Sequence, residues 1–421
     1  MNTPARSHAF SMANPHALAT ILEAAETKHI IASSDIFDLS GIKLWAKDRP
    51  VSAELQRKLY DRQLRDPLET CLLAEDGVTH ATLTQSLQAL LAAEGPLRTL
   101  LAPHAAKLER EVAHLPLHSV AQLLLTAGQA SRPETFDHAV QAMALCGAMM
   151  DAHGGTTAEL RSAMLCGLLH DLGEMYIDPK YNEADAERTL DFEAYQQLVV
   201  HPHVGHLLIA QLTNYPKSLA QAIAEHHERL DGTGYPRGLK RDEVSPLGRM
   251  LAAAEAALTV LRGAEPDLAR VSVALRVVPG EFDITWAGEI ASLARMAKAG
   301  PLHHTDDELA KRLVQLNDAL VEAHDSVEVL ITSAESEALK DALHLADALL
   351  DRLRTGWYAS GLWSTEAISA LDASEIEAVE DELIHRLCAI ERAAWLHAGE
   401  LSDGDAHRLN LLGQSLRSVA L

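Results

Sequence analysis

Thiols are scarce in this chain. Its 421 residues include four cysteines, Cys71, Cys146, Cys166 and Cys388, scattered and set mostly in apolar runs. Such spacing builds neither a thiolate zinc site nor a disulfide framework, so the four read as reduced core residues of a cytosolic protein. Aromatic residues make up only 4%, while Ala and Leu abound, a bias toward packed helices over sheets. Positive charge is short as well: 36 Lys and Arg stand against 60 Asp and Glu, a net charge of −24. Nucleic-acid backbones are held by clustered basic residues, so non-specific DNA binding is excluded. A small anionic ligand remains open, provided metal ions supply the positive charge. No apolar run approaches the about 20 residues of a membrane span, and the N-terminus lacks a signal-peptide core. The expectation is a soluble, cytoplasmic protein.

Histidine is what the chain has in quantity, 22 residues in all. Chance pairs follow from such a number, and His303-His304 reads as one. Two clusters read differently: Leu168-Leu169-His170-Asp171-Leu172-Gly173 and His226-His227-Glu228-Arg229-Leu230-Asp231-Gly232-Thr233-Gly234-Tyr235-Pro236. A His followed by an Asp at the end of an apolar run can place an imidazole and a carboxylate on one metal. The His pair downstream supplies two more nitrogens, with His201-Pro202-His203-Val204-Gly205 between them and Glu134-Thr135-Phe136-Asp137-His138 upstream. Imidazole and carboxylate without thiolate suit iron, manganese or zinc.

Along the chain, Ile30–Phe37 and Ile42–Trp45 predict two short strands around a Ser40-Gly41 turn. Ser52 reads as the N-cap of a helix to about Leu64, and apolar-periodic segments from Thr82 to about 129 read as helices. Residues 1–125 hold no catalytic constellation and are expected to be a regulatory or docking module. Pro133 and Glu134 mark a helix start, with Glu134 and His138 one turn apart on a shared face. An apolar stripe through Leu160, Ala163, Met164 and Leu168 predicts a helix over 157–169, ending at His170-Asp171, with Gly173 allowing a turn. Residues to Asp191 read as a connection, Pro202 and Gly205 as an interruption of a helix, and 218–224 as a helix leading to His226-His227. Arg249–Leu261 predicts an Ala-rich helix whose one acidic residue is Glu255. Thr305 to Glu308 form a capping-box pattern, and helices are expected to continue to the C-terminal end as an amphipathic bundle.

The joint pattern of HD after a helix, HxxxG and HHExxDGxGYP resembles the HD-GYP family, the metal-dependent branch of the HD phosphohydrolases that cleaves cyclic di-GMP. The resemblance runs from about residue 131 to 258. It implies an HD-type helical domain at 126–300, and with the apolar periodicities on either side the expected fold is mainly α, with a small N-terminal α+β module at 1–125 and a C-terminal helical extension at 301–421. It puts Glu134, His138, His170, Asp171, His201, His226, His227 and Glu255 on the family's metal-ligand positions. Glu255 stands where the family usually has Asp, and Asp171 is expected as the bridging, catalytically essential carboxylate. Two or three divalent ions, iron or manganese, are implied, with Glu134 going with the three-metal version. Gly232, Gly234, Tyr235 and Pro236 would shape the rim of a pocket for cyclic di-GMP or a related cyclic dinucleotide. A phosphodiester is anionic, and metal coordination makes water nucleophilic at neutral pH while neighbouring metals share the charge on phosphate.

The chain departs from the family at its cations. Where the family commonly has Lys after HDxG, this chain has Glu174. Val199 replaces the Lys before the middle His, and Arg262 is the nearest match to an Arg beyond the last carboxylate. Glu174 is expected to point toward the neighbours of the metal ligands, so that Glu174→Lys would tighten nucleotide binding. Two readings stay open. One is a phosphodiesterase that opens cyclic di-GMP to linear pGpG, with GMP as a further product left open. The other is a metal-loaded but weakly active or inactive module that binds nucleotide or a signalling protein, with a homodimer also open.

Overall fold

The computed structural model describes residues 9–181, 196–262, 267–294, 306–360, 373–398 and 401–418. The His303-His304 pair, Thr305 of the capping-box pattern and most of the connection to Asp191 lie outside these. The architecture is mainly α. The N-terminal part opens with α1 (Pro15–Ala24), whose first amides are capped by the Asn14 side chain. Two small antiparallel sheets follow. In one, β1 (Ile30–Ala32) pairs with β4 (Leu72–Ala74). In the other, β2 (Ile36–Phe37) pairs with β3 (Lys43–Trp45). Gly41, at φ 86, makes the turn of the second, and Asp38 Oδ1 accepts from Ser40 Oγ and Ile42 N–H across it. The helix after Ser52, α2 (Ala53–Leu59), is shorter than expected. Tyr60 leaves the helical region and Leu64 instead bridges to Asp38 of the hairpin. Helices α3 (His80–Ala92), α4 (Pro96–Leu101), α5 (Ala105–Val112) and α6 (Ser119–Ser131) complete this part.

The His-rich region is built from α7 (Pro133–Ala152), α8 (Thr157–Leu169), a 3-10 turn (His170–Tyr176), α9 (His201–Leu212), α10 (Lys217–Glu225), α11 (Pro246–Arg262), α12 (Leu268–Ala274) and α13 (Ile284–Ala294). Pro133 occupies the first turn of α7, where its missing N–H costs nothing. Thr156 and Glu159 form a reciprocal cap on α8. Gly167 lets α8 approach α7 closely, because a methyl there would lie 2.8 Å from Met143 N.

One expectation is corrected here. The interruption falls earlier, at the turn of residues 199–200 that follows helical residues 196–198, and His201-Pro202-His203-Val204-Gly205 begins the next helix. Pro202 sits in the first turn, where proline is tolerated. Gly205 is needed for space: a Cβ there would meet Ile223 Cγ2 at 2.9 Å, with His170 O and Gly173 N just behind. Gly173 faces it from the 3-10 turn, so the two glycines interlock the backbones that carry His170, Asp171 and His201.

Four further helices follow, α14 (Asp306–Ser333), α15 (Glu337–Ser360), α16 (Ala373–Ala398) and α17 (Asp403–Ser418). Division of the chain at 125 and 300 stays a proposal, and apolar packing bears on it unevenly. A single core runs from Phe10 through Leu83, Leu124 and Met143 to Ile290. A second core joins Val273 and Val277 to Leu343, Trp357, Leu383 and Leu412. Among the described residues no helix is long and apolar enough to cross a membrane.

Candidate metal centre

Helix ends and helix faces bring the imidazoles together. His138 comes from α7, His170 and Asp171 from the turn that ends α8, and His201 from the start of α9. His226 and His227 leave the end of α10, and Glu255 projects from the middle of α11. All seven are buried. The last carbonyls of a helix have no partner within it, and three of the imidazoles use such neighbours. His170 Nδ1 lies 2.7 Å from Gly167 O, His226 Nδ1 2.6 Å from Ile223 O, and His201 Nδ1 2.7 Å from Leu198 O. A carbonyl only accepts, so each Nδ1 carries the hydrogen, and in the neutral ring each Nε2 turns its lone pair inward.

Inward, the side chains fall into two groups that share Asp171. In the first, Asp171 Oδ2 lies 2.9 Å from His170 Nε2 and 3.3 Å from His138 Nε2. Glu255 Oε2 closes that group at 3.0 Å from His138 and 3.2 Å from His170. In the second, Asp171 Oδ1 lies 3.4 Å from His226 Nε2 and 3.5 Å from His201 Nε2, with His227 adjoining. One carboxylate oxygen therefore faces each group. The two Nε2 atoms of His201 and His226 are 3.0 Å apart. With both Nδ1 atoms donating elsewhere, two neutral rings there would aim lone pairs at one another. A divalent cation accepted by both removes that repulsion, and the donor set of imidazole and carboxylate fits one.

Burial lowers the His170 pKa, and the Asp171 and Glu255 carboxylates it faces raise it further, to well above the ordinary histidine range. Burial disfavours a charged carboxylate, yet the His170, His138 and His201 imidazoles hold Asp171 well below the usual carboxylate range. Glu255 is likewise held well below it, against burial, by His138 and Arg262. Burial and the neighbouring His227 press His226 down to about 3, which keeps its ring neutral and able to donate a lone pair.

The structure does not bring every expected residue together. Glu134 lies exposed in the first turn of α7, outside both groups. The loop residues do arrive: Tyr235 stacks on the His227 ring at 4.5 Å between centroids and 16° between planes, and its N–H donates to His227 O at 3.1 Å. Gly234 packs so closely on the His227–Arg229 backbone that no side chain fits, and Gly232 has φ 88. Pro236 is exposed at the rim. Arg262, out of register for a phosphate contact, donates to Glu255 Oε1 at 2.9 Å and steadies that carboxylate.

Two residues needed the structure. Glu228 is 1% exposed, and its oxygens accept the N–H groups of Arg237 and Leu239 at 2.8 Å each, folding the segment after Pro236 back beneath the His pair. Its signal was a charged residue next to His226-His227, a position that local periodicity alone does not interpret. Glu174 is also 1% exposed, so it does not face solvent. Its carbonyl accepts from Arg132, whose guanidinium also donates to Thr20 Oγ1; burial lowers the Arg132 pKa and the Glu174 charge works against that. Glu174→Lys would bury a second cation beside Arg132, so it is no longer the clean test of nucleotide affinity that the sequence implied.

Removal of one second-group ligand separates the two halves. His226→Ala is expected to lose metal from the group of His201 and His227 while the His138, His170 and Glu255 group keeps most of its own. Element analysis of the purified variant against the parent measures this, and full parental metal content would exclude His226 as a ligand.

Residues 123–278 match the HD domain family. The chain is 33% identical over 149 residues to a cyclic di-GMP phosphodiesterase of Pseudomonas aeruginosa, covering 35% of each chain. It is 34% identical over 88 residues to a 3'3'-cGAMP-specific phosphodiesterase of Vibrio cholerae, covering 21% of this chain and 18% of that one. A cyclic di-GMP phosphodiesterase of Thermotoga maritima is 27% identical over 140 residues, covering 33% of this chain and 38% of its own. The chain thus spans well under half the length of these relatives. No solved structure matches.

Proposed function

We propose, from the match of residues 123–278 to the HD domain family and the HD-GYP marks they carry, that this protein is a metal-dependent phosphodiesterase hydrolysing cyclic di-GMP to pGpG, with GMP left open as a further product. The observation that carries the reading is Asp171, whose two oxygens each face a separate group of buried imidazoles. Two divalent ions would be held there, by His138, His170, Asp171 and Glu255 on one side and by Asp171, His201, His226 and His227 on the other. The donor set suits iron, manganese or zinc, and the resemblance to the HD-GYP family favours iron or manganese. The exposed position of Glu134 supports two ions over three. When bound, such ions make water nucleophilic at neutral pH and offset charge on a phosphate. The chain's own part is to fix the imidazoles through the Gly167, Leu198 and Ile223 carbonyls and to hold Tyr235 over His227 at the rim. Gly232, Gly234, Tyr235 and Pro236 are assigned to the nucleotide pocket.

A second reading, a metal-loaded module with little turnover, is favoured by one observation. Position 174 holds a buried carboxylate in place of a lysine, and the adjacent Arg132 is engaged by Glu174 O and Thr20. Protein reconstituted with iron or manganese and mixed with cyclic di-GMP distinguishes the two. Linear product is expected, and chelator treatment should remove at least about 99% of the rate, since catalysis of this class depends on the bound ion. Nucleotide binding without product in the metal-loaded protein would select the second reading. Neither binding nor product would overturn both.

A further inference from the structure

The loop that ends in Tyr235 is held from outside the HD domain. Arg352 of α15 donates to Asp231 O and lies 3.6 Å from Asp231 Oδ2. The same Asp231 organises the loop interior, accepting from Thr233 N–H at 3.0 Å and Thr233 Oγ1 at 2.7 Å. One residue earlier, Leu230 N–H donates to Glu281 O at 2.8 Å. The Glu281 side chain is 1% exposed and sits between two guanidinium groups. Arg229 of the loop approaches it at 3.5 Å, and Arg386 of α16 pairs with it closely. Arg386 is itself fixed by Glu382 at 2.6 Å and by Ala274 O at 3.1 Å. Phe282 lies beneath both arginines, 4.8 Å from Arg229 and 5.9 Å from Arg386.

These contacts make a continuous path. It starts at α15 and α16, passes through Asp231 and the Glu281–Arg229 pair, and reaches the glycine-rich loop and the Tyr235 ring on His227. We propose that Arg352 and Arg386 are positioning residues of the proposed phosphodiesterase, by which the C-terminal helices hold the 229–236 loop in the shape that receives the nucleotide. The assignment rests on the function proposed above only for its kinetic consequence. The physical basis is that a loop with glycines at 232 and 234 has many accessible conformations, and two independent ion-paired anchors near its start reduce them. Neither arginine touches a metal ligand, so metal content should not depend on them.

The test uses the full chain with metal restored. Arg352 is half-exposed at the α15 surface, so Arg352→Gln is expected to fold. It should keep parental metal content and raise KM for cyclic di-GMP by up to about fivefold with a smaller effect on kcat, the order expected for loss of a partly solvated pair that positions substrate. Arg352→Lys should recover part of the loss. Arg386→Gln should act in the same direction, its folding checked by the melting transition. A readout free of activity is hydrogen exchange of amides 230–240, expected to speed up in Arg352→Gln while the α7 and α8 amides stay unchanged. Unchanged exchange in that loop would overturn the anchoring. Faster exchange with parental KM and kcat would overturn the positioning role. If the parent itself failed to hydrolyse cyclic di-GMP, the functional reading would fall, and exchange together with cyclic di-GMP affinity would still decide the anchor.

Discussion

Asp171→Ala is expected to lose metal from both groups at once, where His226→Ala loses it from one. The reason lies in the two oxygens. Oδ2 faces His138 and His170, Oδ1 faces His201 and His226, and a methyl group reaches neither. Asp171 is also the anion central to the imidazole array, so its removal leaves bound cations less fully offset. Loss of a residue that merely supports a metal ligand typically costs 10–100-fold in affinity, so removing a shared ligand should cost at least about 100-fold at each position. Element analysis should then find little metal, and hydrolysis should fall below detection. Asp171→Asn keeps the shape but offers one good oxygen, so it is expected to retain at most one ion. The comparison of the two variants is informative: if Asp171→Ala held as much metal as the parent, the shared-carboxylate arrangement would be wrong. Glu255→Ala provides the contrast, since Glu255 meets only His138 and His170.

Much of this site was legible because most of its candidate ligands sit where helices begin and end. The apolar stripe through Leu160, Ala163, Met164 and Leu168 predicts a helix over 157–169, and α8 spans Thr157–Leu169. His170-Asp171 follows as the cap, and α10 delivers His226 in the same way. What escaped the sequence depends on distant partners. Strand β4 is three residues without alternation, and it exists because β1, far upstream, needs a neighbour. Glu134 and His138 share a helix face, yet one turn of helix displaces them by about 5.4 Å along the axis. That displacement leaves Glu134 at the exposed start of α7 while His138 is 3% exposed. Glu228 is silent in sequence because its partners are backbone amides, which carry no residue identity. The arginines of α15 and α16 read as ordinary charges of an amphipathic bundle, and only packing turns them toward Asp231 and Glu281.

Gly173→Ala is expected to be among the most damaging single methyl additions near the site. The sequence suggests that Gly173 serves a turn, but the turn does not demand it, since Gly173 is not among the glycines with positive φ. Space does. A Cβ there would overlap His201 O, and would lie 2.9 Å from His201 C and 2.8 Å from Gly205 N, inside the roughly 3.5 Å at which nonbonded heavy atoms rest. Each of these is a backbone atom, so no rotamer change relieves the overlap and α9 must move away from the 3-10 turn. His201 heads α9 and Asp171 lies two residues before Gly173. The displacement therefore pulls His201 from Asp171, now 3.5 Å apart. Overpacking costs about 1–3 kcal/mol where side chains can adjust, and a backbone-on-backbone overlap belongs at about 3 kcal/mol or above. Urea unfolding should show that loss, and element analysis should show depletion of the group containing His201. Gly128→Ala is the control. It adds the same methyl inside α6, where nothing lies within 4 Å, and should be neutral or stabilising by up to about 1 kcal/mol. Equal unfolding midpoints for Gly173→Ala and the parent, with full metal content, would mean that the two backbones are not locked together. The positions of His201 and Asp171 would then owe nothing to the glycines between them.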